Sequence, residues 1–103
     1  RLEEARALVE QANQLSPNNP AIIDSLGWIH YRLGDLNKAL KLLQTAYNDF
    51  PDHEVAAHLG EVLWQLKRND EAQEIWQAGL ENNPERPVLK ETQQRLKIDT
   101  SAP

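Results

Sequence analysis

Residues 19–51 read NPAIIDSLGWIHYRLGDLNKALKLLQTAYNDFP, two amphipathic stretches joined by the turn Leu33-Gly34-Asp35. Their landmarks recur on both sides. Leu26, Gly27, Ala39 and Pro51 return 33 residues later as Leu59, Gly60, Ala72 and Pro84, while Ala5, Val9, Ala12 and Pro17 precede Ala39, Leu43, Ala46 and Pro51 by 34. A fixed period of that size predicts an all-α helical solenoid.

Within the quoted stretch, Asn19 can cap a helix that Pro20 opens, since proline lacks only an N–H that the first turn leaves unbonded anyway. Ile22, Ile23, Leu26, Ile29, His30 and Leu33 share one face of that helix, with Gly27 at the edge where a neighbouring helix can approach closely. Gly34 supplies the left-handed residue that ends it, and Asp35 caps the next. There Leu36, Ala39, Leu40, Leu43, Ala46, Tyr47 and Phe50 form the packing stripe.

Outward from this pair, Ala5, Leu8, Val9, Ala12 and Leu15 make the stripe of a preceding helix over residues 1–16, a half repeat by register. That register, with no methionine at position 1, suggests a piece of a longer array. After Pro51-Asp52, Val55, Ala56, Leu59, Val62, Leu63 and Leu66 give the core side of one helix, and Ala72, Ile75, Trp76, Gly79 and Leu80 that of another. The turn between them, Lys67-Arg68-Asn69, lacks a glycine, so a left-handed Lys67 costs about 1 kcal/mol against glycine. Pro87 opens a last helix with Val88, Leu89 and Leu96 on one side, and Glu91, Gln93, Gln94 and Arg95 elsewhere. The expected organisation is one segment over 1–98: a half repeat, repeats over 20–52 and 53–84, a capping helix over 87–97, and a disordered tail over 99–103.

The carried residues, Leu26, Gly27, Gly34, Ala39, Ala46 and Pro51, then Leu59, Gly60, Ala72 and Pro84, make the chain resemble the tetratricopeptide repeat family. Lys67 in the place of Gly34 and Gly79 in the place of Ala46 depart from that pattern. The resemblance implies a non-enzymatic protein-interaction module whose successive first helices line a concave groove. Its lining positions fall on Ala21, Asp24, Ser25, Trp28, Tyr31 and Arg32, then Glu54, Ala57, His58, Glu61, Trp64 and Gln65. Members that grip a C-terminal carboxylate do so with Lys, Asn and Arg, and Asp24, Trp28 and His58 hold the corresponding places here, so that clamp is missing. A narrower similarity joins residues 23–28 and 57–64 to the C-terminal repeats of bacterial envelope lipoproteins, some of them adaptors for a carboxyl-terminal processing protease. It would imply the periplasmic side of an outer membrane, with the lipidated cysteine outside this piece; the cytoplasm is the alternative.

Helical phase independently puts Trp28 and Tyr31, with Asp24, Ser25 and Arg32, opposite the apolar stripe, and Trp64 on the matching face one repeat later with Ala57, His58, Glu61 and Gln65. Large flat side chains there suit peptide docking, because they bury much area at low entropic cost. Alternatively Trp28 or Trp64 packs between helices as structure; Trp76, on the core stripe, belongs to the core. Asp24, Glu54 and Glu61 leave Arg32 the only fixed positive charge on this face, which favours a neutral or basic peptide with apolar anchors.

Composition closes other routes. A net charge of −5 argues against nucleic-acid binding, which draws its affinity from clustered Lys and Arg. No apolar run could span a bilayer, and with no cysteine there is no disulfide or thiolate chemistry. The three histidines, His30, His53 and His58, form no metal-ligand pair on one helical face, and His30 reads as a hydrogen-bonded core residue. Ser25 and Thr45 have no histidine placed as a base, and no glycine-rich phosphate loop exists, so neither catalytic residues nor a cofactor are expected. The competing use of the fold is self-association, with Leu8, Val9 and Ala12 forming a homodimer contact.

Overall fold

A computed structural model describes residues 1–82 and 87–96. It contains α1 (Leu2–Leu15), α2 (Pro20–Arg32), α3 (Leu36–Asp49), α4 (His53–Gln65), α5 (Asn69–Asn82) and α6 (Pro87–Arg95), with no strand among the described residues. The expected tail over 99–103 lies outside them. The α2–α3 and α4–α5 pairs are the two full repeats.

Side chains suited by their local chemistry set the helix starts. The Asn19 side-chain oxygen accepts from the Ala21 N–H at 3.0 Å, that of Asp35 from Lys38 at 3.2 Å and that of Asp52 from Glu54 at 3.2 Å, each satisfying a donor that the first turn cannot. The turns inside both repeats close in the same way. Asp35 N–H donates to the His30 carbonyl and Gly34 to that of Tyr31, while Arg68 donates to Leu63 and Lys67 to Trp64. This is the six-to-one, five-to-two pattern of a Schellman ending, which demands a left-handed residue. Gly34 has φ 93°, and Lys67 adopts φ 67° although it carries a side chain.

The glycine inside each first helix marks where the second helix crosses it. A Cβ on Gly27 would lie 2.8 Å from Leu43 Cγ, and one on Gly60 would lie 2.1 Å from Trp76 Nε1. The main core therefore runs through the middle of the stack, with Ala39 and Leu43 of α3, Leu59, Val62 and Leu63 of α4, and Ala72 and Trp76 of α5 buried together. A smaller cluster of Ile23, Ala46 and Val55 continues it towards the start of the chain.

The helices also show which side is the inside of the curve. The backbone of α2 comes close to that of α4, and that of α4 to that of α6, whereas no such backbone approach joins α1, α3 and α5 to one another among the described residues. The close-set row α2–α4–α6 is thus the concave wall. No helix among the described residues is long and apolar enough to cross a membrane.

Several stripe residues sit differently from their sequence phase. Phe50 is 53% exposed because it ends α3 in an extended conformation, φ −152° and ψ 90°, which swings its ring out of helical register. Leu8 and Leu15 are 66% and 86% exposed, since α1 packs on α2 alone and buries no residue fully. Leu33, at the C-cap of α2, is also exposed. His30 is buried as expected, yet its Nε2 has no hydrogen-bond partner among the described residues.

Candidate functional site

The face defined by helical phase is the concave wall, and its chemistry is organised between successive first helices. At its centre Trp28 of α2 stacks on the His58 ring of α4, centroids 4.1 Å apart and planes 21° from parallel. Tyr31, one turn further along α2, lies 4.8 Å from Trp28 in a tilted pair. The three rings form one platform. Trp64 stands apart, its ring 6.0 Å from Trp76 and partly packed on the core.

Two acid–base rungs tie the row together. Asp24 meets His58, with Nδ1 2.9 and 3.2 Å from its two carboxylate oxygens. A carboxylate only accepts, so Nδ1 carries the proton and donates. Glu61 of α4 meets the Arg95 guanidinium of α6 through both oxygens and also accepts from the Tyr31 hydroxyl at 2.6 Å. The environment shifts Tyr31 accordingly. Burial first, then the hydrogen bond to Glu61 and its charge, hold the phenol well above its ordinary pKa of 10.0, with the Arg95 charge opposing. The same carboxylate raises the Arg95 pKa further.

These contacts correct the expected lining. Asp24, Ala57 and Glu61 are buried rather than open to a ligand, because the helices of the inner row touch along them and the two carboxylates turn to the His58 ring and the Arg95 guanidinium. Trp28, Tyr31, His58 and Trp64 are half-buried, each still part of the surface. Arg32 and Gln65 are exposed at the wall's edge, as are Ala21, Ser25 and Glu54; the Ser25 hydroxyl donates back to the Ala21 carbonyl at 3.0 Å. Arg32 is not the only fixed positive charge here, since Arg95 joins it.

Arg95 is the site residue that sequence reasoning missed. Its signal was present: Asp24 to His58 and Glu61 to Arg95 are both acid-to-base steps of 34 residues along first helices. Among the described residues no group of three potential metal ligands gathers.

Three comparisons bear on this architecture. The family profile described as tetratricopeptide repeat matches residues 1–58 and again 30–96. A TPR repeat-containing protein of Pseudomonas aeruginosa is 56% identical over 61 residues, 59% of this chain and 10% of that protein. Human tetratricopeptide repeat protein 7A is 36% identical over 89 residues, 85% of this chain and again 10% of the relative. The chain thus spans about a tenth of the length of these curated relatives. In structure it resembles a thermophilic TPR protein of Thermus thermophilus, with a TM-score of 0.82 and 24% identity over 94% of this chain and 50% of that one, a likeness of fold. With the period, the glycine crossings and the concave row of first helices all in place, this chain belongs to the tetratricopeptide repeat family.

Proposed function

We propose that the chain docks a peptide or protein segment along its concave wall, with Trp28, Tyr31 and Trp64 as apolar anchors. Tetratricopeptide solenoids are protein-interaction modules and generally non-enzymatic scaffolds, so the open question is which surface binds and what it takes. The observation that carries the reading is the ring platform. Trp28, Tyr31 and His58 gather on one wall, each half-exposed, with Tyr31 also resting against the core, and aromatic area so placed gives affinity at little entropic cost.

The charges narrow the ligand. Asp24 is taken by His58 and Glu61 by Arg95, which leaves Glu54 and Arg32 exposed with opposite signs. An extended segment with apolar anchors and little net charge, or with a basic residue, fits best. Peptides selected from a displayed library on the immobilised chain test this. Trp28→Ala and Trp64→Ala should keep a helical spectrum and a cooperative melt while weakening selected peptides roughly tenfold or more. Unchanged binding would move the site elsewhere, and loss of the fold would make the rings structural.

An adaptor role in a bacterial envelope assembly rests on the similarity of residues 23–28 and 57–64 to lipoprotein repeats. Co-purification with a carboxyl-terminal processing protease, abolished by Trp28→Ala, would support it. Self-association is the second reading, favoured by the exposed Leu8 and Leu15 on α1. Sedimentation across a concentration range separates it from a monomeric docking module.

A further inference from the structure

We propose that Glu61 is a guanidinium-binding subsite of the concave wall, closed in the free chain by Arg95 and opened when an arginine of a bound peptide takes its place. The subsite stands on its own geometry. Only its use by a peptide rests on the docking function above.

The Glu61 side chain is 4% exposed, whereas that of Arg95 is 56% exposed. The carboxylate is therefore built into the wall, and the guanidinium approaches it from the solvent side. Tyr31 holds the inner aspect, its hydroxyl 2.6 Å from Oε2, the oxygen that Arg95 Nη1 reaches at 3.3 Å; Arg95 Nη2 takes Oε1. A planar fork that reaches both oxygens is what a guanidinium offers and an ammonium cannot. The surroundings suit a visitor. Trp64 lies one turn further along α4 and the ring platform begins at Tyr31, so an arginine flanked by apolar residues would meet a carboxylate between aromatic surfaces.

Arg95 is a displaceable occupant. It is the last residue of the nine-residue α6, whose own seat comes from Val88 and Leu96 packed on the core. A long, half-exposed side chain can leave by rotation while the helix stays in place. Its continued presence is a cost that any competing arginine must overcome, since the site is open only in the fraction of molecules with Arg95 released.

N-acetylarginine amide and its neutral isostere N-acetylcitrulline amide, titrated into the wild-type chain, Arg95→Ala and Glu61→Gln/Arg95→Ala, test this by melting temperature and by the Tyr31 ring signals in NMR. Arg95→Ala should bind the arginine amide saturably and ignore citrulline. The double variant should not respond, and the wild type should bind roughly tenfold more weakly than Arg95→Ala or worse. Should Arg95→Ala be unfolded alone, the arginine amide should restore its helical spectrum and citrulline should not. The proposal is overturned if Arg95→Ala neither binds nor is rescued, or if the double variant responds equally. It also falls if the wild type shows no response at about a hundredfold the dissociation constant of Arg95→Ala. None of these arms uses a peptide, so failure of the docking function and failure of the subsite are separately visible.

Discussion

The two repeats share a backbone plan and fill it with opposite materials. In the first, Gly27 faces the branched Leu43 and the turn is made by Gly34; in the second, Gly60 faces the indole of Trp76 and the turn is made by Lys67. The crossing survives both fillings, which shows that the glycine in the first helix, rather than the residue opposite it, sets how closely the pair packs. The turn survives both as well, because the Schellman hydrogen bonds are identical and only the backbone energy of the left-handed residue differs. The second repeat is thus the more rigidly filled and the more strained.

The largest expected effect sharpens the crossing. Gly60→Ala places a methyl against a fully buried ring and should cost about 2 kcal/mol net, over-packing of about 3 kcal/mol less a gain of about 1 kcal/mol in helix propensity. Gly27→Ala meets a smaller overlap with the leucine and should cost roughly half as much. Chemical denaturation of both variants gives the ratio, and equal costs would break the comparison. Combining Gly60→Ala with Trp76→Leu should cost less than the sum of the two, because the leucine returns space to the methyl.

The turns come next. Lys67→Gly should stabilise the chain by about 1 kcal/mol, and Gly34→Ala should destabilise it by a similar amount through the backbone alone, since nothing lies near the Gly34 Cβ position. A thermal melt of Lys67→Gly that is unchanged or lower would show that the lysine side chain contributes more than its backbone costs.

The smallest effect at neutral pH concerns the rung between the repeats. Tyr31 has a pKa raised in the folded chain by burial and Glu61, so its contribution is full below its unfolded value near 10 and declines as pH rises beyond it, because the unfolded chain ionises first. Wild-type stability should fall more steeply above about pH 10 than that of Tyr31→Phe. Parallel slopes would place the titration elsewhere.

The solenoid was legible because its signals are periodic. Small residues at fixed offsets, proline and asparagine at helix starts and the turn at Gly34 each fix local geometry, and the left-handed Lys67 followed from its place in the period. The site was legible in outline. Helical phase found the face that holds Trp28, Tyr31 and Trp64 but could not say that Asp24, Ala57 and Glu61 close against the next first helix, since that depends on spacing between helices. Arg95 was hidden for a related reason: α6 is short and largely polar, with a weak stripe from which to read which side it turns to α4. Phe50 was misplaced because phase has no meaning one residue beyond the helix that sets it.

The three indole N–H signals in a nitrogen–proton correlation spectrum test the docking claim most directly, because they report the wall and the core at once. On titration with a library-selected peptide, the signals of Trp28 and Trp64 should move together and saturate, while that of Trp76, buried on Gly60, stays in place. Saturable binding that leaves Trp28 and Trp64 unmoved and instead shifts residues around Leu40, Lys41, Gln44, Thr45 and Arg68, which line a hollow of their own, would contradict the account.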